Sequence, residues 1–207
     1  MTSYILYGRQ ASGSFAVQVA LEEIGATYER VWIPNESAGS ADWLAISPTG
    51  RVPVLALPDG TLMFESAAML IHLALAHPDA ALAPRPGTSQ HARFLQWMVF
   101  LSANVYEAVL RIYYSNRYSA EGDAHAAAIR ERASAESLGH LSLIEKSLSP
   151  YLLGATYSIA DVYLVMLASW LPGEKADLYA RLPALGALVR AVAARPAYRK
   201  TDADHAP

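Results

Sequence analysis

The chain has no cysteine. That absence excludes a structural disulfide, a thiolate metal site and a cysteine nucleophile, so any thiol chemistry must use a thiol that the substrate brings. Excess charge is missing too: 16 basic residues against 19 acidic ones leave a formal net charge of −3, with no electrostatic footprint for nucleic acid or an acidic membrane. Long hydrophobic runs are also absent. The longest strongly apolar stretch, Val162 to Leu171, falls well short of the roughly 20 residues that span a bilayer. The start, Met1-Thr2-Ser3-Tyr4-Ile5-Leu6-Tyr7, lacks the basic-then-apolar pattern of a secretory signal. A cytoplasmic protein, with neither nucleic acid nor membrane as partner, is the simplest reading. The six histidines include no i, i+4 pair around a glutamate, and neither a glycine-rich phosphate loop nor a serine-elbow sequence occurs. Zinc and nucleotide chemistry are set aside, no metal site is expected, and His72 reads as a core histidine.

What is present is alternation, then helix. Tyr4-Ile5-Leu6-Tyr7 reads as a strand, Ser14 to Ile24 as a helix closed by Gly25, and Tyr28 to Ile33 as a second strand. Val52 to Leu57 and Thr61 to Phe64 flank Pro58-Asp59-Gly60, a hairpin turn, and Ser66 to Ala76 is a helix stopped by Pro78. Three prolines and a glycine within 78–88 cannot continue a helix. Beyond them the pattern is helical at about 89–117, 123–148, 158–171, 175–180 and 184–194. The expected architecture is an α/β thioredoxin-like N-terminal domain at 1–77, a linker at 78–88 and an all-α C-terminal domain at 89–207. Inside the latter, Ser158 and Asp161 carry a capping-box signature with a structural role.

The run Ser47-Pro48-Thr49-Gly50-Arg51-Val52-Pro53-Val54-Leu55 reads as a turn feeding a strand, and Glu65-Ser66 heads an apolar helix ten residues later. Pro53 cannot donate to a sheet ladder, so it is placed at a sheet edge, where the N–H and C=O of Val52 stay open to a peptide-like guest. The helix start offers backbone N–H groups, the positive end of the helix dipole and the Ser66 hydroxyl to a carboxylate. Glu65 adds an acceptor for an ammonium. Taken alone, Glu65-Ser66 also fits an ordinary helix start.

T-G-R-V-P-V-L at 49–55 and F-E-S-A-A-M-L-I-H-L at 64–73 resemble the glutathione-binding half of the cytosolic glutathione transferase family, and the match extends from Tyr4 to about Tyr198. The resemblance implies glutathione as co-substrate, a cis bond at Val52–Pro53, and a γ-glutamyl group gripped by Glu65 and Ser66. The cysteinyl part would lie antiparallel to Val52, and Arg51, Arg9 or Trp43 would meet the glycine end. Family classes activate the thiol with a tyrosine, where Tyr7 falls, a serine, where Ser12 falls best, or a cysteine, whose position matches Gly13. The cysteine type is therefore excluded, leaving a bacterial-type protein that depends on serine or tyrosine. Bacterial members of the cysteine type also carry a non-catalytic tyrosine near Tyr7, so Ser12 ranks ahead of Tyr7, and Ser14 reads as a helix cap.

For the second substrate, a small hydrophobic electrophile, Tyr106 and Tyr113 stand out in an aromatic stripe with Trp97, Phe100, Leu110, Arg111 and Tyr114. The stripe equally fits core or dimer contact. The electrophile pocket is expected between the two domains. Implied function is conjugation of glutathione to electrophiles, a detoxification reaction, by a homodimer in which the thioredoxin-like half of one subunit meets the long helices of the other. Rival readings are a glutathione-dependent lyase, dehalogenase or isomerase, and a non-catalytic glutathione-binding regulatory protein. The isomerase class carries a Ser-Ser-Cys loop where this chain has Ala11-Ser12-Gly13-Ser14.

Overall fold

Alternating burial makes Tyr4–Gly8 a strand, β1, with Tyr4, Leu6 and Gly8 turned inward. The computed structural model describes residues 3–206; Met1 and Thr2 of the N-terminal stretch and Pro207 of the expected helical domain lie outside the described residues. A parallel partner requires a crossover. Helix α1 (Ser14–Glu23) supplies it, and β2 (Tyr28–Trp32) then pairs with β1 from Tyr4–Tyr28 to Gly8–Trp32. After a short α2 (Ala41–Ile46), β3 (Val54–Ala56) runs antiparallel to β1 and forms a hairpin with β4 (Leu62–Met63), giving the sheet order β2-β1-β3-β4. Gly60, at φ 89°, turns that hairpin, and the Asp59 carboxylate accepts the Thr61 N–H at 2.9 Å. Helix α3 (Ser66–Ala76) packs on α1. Leu6, Leu55, Val17, Leu21, Met69, Leu70 and Leu73 form the fully buried core of this unit. The arrangement is the expected thioredoxin-like one.

In the helical unit, α4 (Ser89–Phe100) passes through a π-helical turn at Leu101–Tyr106 into α5 (Glu107–Tyr113). It is followed by α6 (Ala126–Glu145), α7 (Ile159–Ser169), α8 (Lys175–Arg181) and α9 (Pro183–Ala193). Every residue of α7 from Ile159 to Ala168 is buried, as suits a helix that is apolar nearly all round. Its capping box forms as expected: Asp161 accepts the Ser158 N–H and, with its other oxygen, the Leu152 N–H, each at 2.8 Å. Glu145 accepts the N–H groups of Ala184 and Leu185, both at 2.8 Å, and so satisfies the first turn of α9.

Two elements differ from the sequence reading. Helix α2 is six residues long and buries Trp43 alone, too little for a periodic pattern. Helix α10 (Pro196–His205) buries only Thr201 and carries no apolar stripe. It packs on α1, so the two compact units are Met1–Ala83 with Ala193–Pro207, and Pro84–Val192. The segment from 193 onward therefore belongs with the α/β unit rather than with the helical domain that was expected to run to 207. Polar contacts dock it: Arg195 grips both carboxylate oxygens of Glu23 at 2.5 and 2.8 Å, and Lys200 reaches Glu22 at 2.8 Å. His72 is half-buried with no hydrogen bond among the described residues, not the satisfied core histidine expected. No described helix is long and apolar enough to cross a membrane.

Candidate functional site

At the end of β1 the chain enters a loop pinned by its own hydroxyls. Arg9 sets it up: its backbone N–H donates to Ser14 Oγ at 3.2 Å, and its guanidinium is held by the carbonyls of Ile33 and Pro34, each at 3.0 Å. Gly8 makes this possible, because a Cβ there would lie 2.7 Å from both Cβ and Oγ of Ser14. The Arg9 carbonyl accepts from Ser12 Oγ at 2.7 Å and Ser14 Oγ at 2.8 Å, and the two hydroxyls are 2.8 Å apart. Two protons serve one carbonyl. Ser14 can keep that bond while half-buried Ser12 turns its proton toward a guest. Ser14 is fully buried at the first position of α1, after Gly13, and does not cap the helix; its hydroxyl is spent on the Arg9 backbone.

Tyr7 lies on the opposite face of β1 from Leu6. Its ring is 6.0 Å from that of Trp43, and its hydroxyl makes no hydrogen bond among the described residues. Trp43 is 3% exposed, yet its indole N–H has no partner among the described residues. Two unengaged donors thus occupy neighbouring rings.

The 47–53 run is a built turn. The buried Ser47 hydroxyl donates to the Arg51 carbonyl at 2.8 Å, the Gly50 N–H donates to the Ser47 carbonyl at 2.9 Å, and the Arg51 side chain is exposed. The Val52–Pro53 bond is cis, as the resemblance implied. Its expected edge position is not what forms. β3 lies between β1 and β4, and its ladders begin at Val54 and Leu55, so buried Pro53 sits in the lead-in to an inner strand, where its missing N–H breaks no ladder. The N–H and C=O of Val52 are outside both ladders and take part in no other backbone hydrogen bond among the described residues.

Glu65 precedes α3 at φ 71°, ψ 102°, a sparsely populated region for a residue with a side chain, and that side chain is exposed. Ser66 follows at 7% exposure. The helix carries no side-chain cap and no acidic residue in its first turn. Its first intrahelical bond runs from the Met69 N–H to the Glu65 carbonyl at 3.0 Å, so the earlier N–H groups point out of the helix end without helical acceptors. Such an end attracts an anion.

In the helical unit, Tyr106 and Tyr113 converge on one residue that sequence reasoning missed. Tyr106 closes the π turn and meets the Trp170 ring edge-on at 5.5 Å, while Tyr113, 55% exposed, donates its hydroxyl proton to the Trp170 carbonyl at 2.6 Å. A seven-residue separation puts two tyrosines on one helix face. Nothing in the sequence joins that face to the chain just after α7.

A family model described as "Glutathione S-transferase, N-terminal domain" matches residues 14–76, and one described as "Glutathione S-transferase, C-terminal domain" matches residues 104–200. The chain is 22% identical to Glutathione S-transferase GstA of Escherichia coli O157:H7, over 92% of this chain and 93% of that one. Among solved structures, it is similar to a Sulfitobacter glutathione transferase homologue with bound glutathione, at 26% identity and a TM-score of 0.88 over 99% of both chains. A sphingomonad glutathione S-transferase complexed with glutathione shares 27% identity with a TM-score of 0.81, over 97% of this chain and 98% of that one.

Proposed function

Because this chain belongs to the glutathione S-transferase family, we propose that it binds glutathione in its thioredoxin-like unit and conjugates the thiolate to small hydrophobic electrophiles. The open backbone of Val52 carries the reading. A tripeptide needs a donor and an acceptor at one residue to lie as an added strand, and Val52 offers both. The start of α3, with the Ser66 hydroxyl, takes the γ-glutamyl carboxylate, and Glu65 takes the ammonium. Arg9 is committed to backbone carbonyls, which leaves Arg51 and the unpartnered Trp43 indole for the glycine carboxylate.

A cysteine thiol has an ordinary pKa of about 8.5, so a donor must favour its thiolate near pH 7. Ser12 is that donor in this reading. The unengaged Tyr7 hydroxyl makes Tyr7 the second candidate. The electrophile rests on Tyr106, Tyr113 and Trp170, whose rings offer an apolar surface with polar tips. The working unit is a homodimer, consistent with Leu62 and Phe64 standing exposed at and beside the edge strand β4.

Retention on immobilised glutathione tests the first half: wild type is held, and Ser66→Ala and Glu65→Ala are not. Turnover of a chlorinated nitroaromatic tests the second. A charge-assisted hydrogen bond contributes about 1.5–3 kcal/mol, so Ser12→Ala is expected to lose at least about tenfold in kcat. Intact turnover in Ser12→Ala with none in Tyr7→Phe transfers the role to Tyr7. Retention without turnover makes the chain a specialised lyase, dehalogenase or isomerase, or a binding protein.

A further inference from the structure

Ser12 is bracketed by residues that are tied to one distant helix. Two positions before it, the Gln10 side-chain amide donates to the Ala206 carbonyl at 3.0 Å. Three positions after it, the Phe15 ring is met edge-on by Tyr198 at 5.0 Å and His205 at 5.1 Å. One turn further on, fully buried Gln18 donates to Asp204 at 2.7 Å and receives His205 Nε2 on its own carbonyl oxygen at 3.1 Å. Asp204 in turn pairs with Arg30 of β2 at 2.6 Å, and His205 stacks edge-on against Trp32 at 5.0 Å. The last turn of α10 is thus fastened to both sides of the serine loop and to the strand below it.

One feature shows that the fastening is specific. The Gln18 amide has only one orientation that serves both neighbours, with NH2 toward the acceptor-only carboxylate of Asp204 and the carbonyl toward the imidazole; this places the His205 proton on Nε2. The loop itself holds Ala11 at φ 49°, a conformation that needs support from its surroundings.

We propose that α10 is a positioning element of the thiol-activating loop: Gln10, through Ala206, and Gln18, through Asp204 and His205, hold residues 9–14 so that the Ser12 hydroxyl faces the thiol. The inference rests on the glutathione reading. Gln10 does not touch glutathione in this scheme; it acts through Ser12. Loosening α10 therefore leaves the tripeptide seated on Val52 and α3 but disorders the donor at the sulfur.

The test uses the full chain carrying Gln10→Ala, Gln10→Glu, Gln10→Lys or Asp204→Ala, with thermal melts to confirm folding. Gln10→Ala and Gln10→Glu both lack the donor, whereas Gln10→Lys keeps one. For Gln10→Ala, Gln10→Glu and Asp204→Ala, glutathione affinity should stay within about twofold. The apparent pKa in the pH profile of kcat/KM should rise by about half a unit, which corresponds to about threefold in thiolate fraction near pH 7. Amide exchange across 11–15, read without glutathione, should quicken by about tenfold, and Gln10→Lys should restore most of each loss. Unchanged exchange and pH profile in both Gln10→Ala and Asp204→Ala overturn the proposal while leaving the transferase reading intact. A loss of activity without faster exchange overturns it as well, since the effect then bypasses the loop. If wild type fails to retain glutathione, the functional reading falls, and the exchange data alone decide whether α10 holds the loop.

Discussion

Glu65 sits at φ 71° before a helix it does not cap, a conformation that costs a non-glycine residue about 1–3 kcal/mol. In the proposed glutathione reading, a residue kept there against its backbone preference serves through its exposed carboxylate, beside the start of α3. Glu65→Gly is therefore expected to melt at the same temperature as wild type or higher, a gain of up to about 1 kcal/mol after allowing for the freer unfolded chain. The same variant should lose its hold on immobilised glutathione. A lower melting temperature would show that the backbone there is not strained. The Glu65-Ser66 pair was legible because a helix start is a local event, written in adjacent residues. Pro53 was half legible: the missing donor was read correctly, but whether a strand is inner or outer depends on which strand pairs with it, and β4 supplies that answer from beyond a turn. Trp170 gave no signal, since a carbonyl with a tyrosine on it is a product of tertiary contact; Trp43 was named as a candidate, but its indole left without a partner among the described residues is a tertiary outcome too.

At the scale of the element, two helices carry titrating groups whose pKa values are displaced in opposite directions. Burial raises Asp161 at the start of α7 to about 6, against the hydrogen bonds from Leu152 and Ser158 that favour its charge. The native chain then keeps a proton that the unfolded chain releases, so this contribution is full below the ordinary 3.8 and is lost as pH rises through about 6. His205 on α10 is pushed down to about 4, by burial first and by Arg30 second, with Asp204 and Asp202 opposing. Its contribution is complete above the ordinary 6.5 and is lost as pH falls toward 4. In urea denaturation, the stability advantage of wild type over Asp161→Asn should shrink as pH climbs from 4 to 6, while its advantage over His205→Gln should grow. Slopes of the same sign would refute the assignment. The α7 cap was legible from Ser158 and Asp161 three residues apart; α10 was not, because a helix docked by ion pairs and a histidine shows no hydrophobic period.

For the whole molecule, the order of strands and helices through residue 76, apart from the short α2, followed from alternation and punctuation, but the boundaries of the compact units did not. The α/β unit is built from two separated stretches of chain. Residues 3–83 made alone lack the partners of Phe15, Gln18 and Trp32, and should be destabilised or insoluble; a synthetic peptide of residues 193–206 added in trans should raise their thermal stability in a dose-dependent way. No response to the peptide would show that α10 is an accessory to that unit. Contacts such as Gln10 with Ala206 also span nearly the full length of the polypeptide. Domains generally form in the order in which they are synthesised, yet here the helical unit between the two stretches is translated in full before the amino-terminal one can be closed. On the ribosome, the unit that starts first must finish last, and until residues 193–206 emerge its first helix has a bare flank for chaperones to guard.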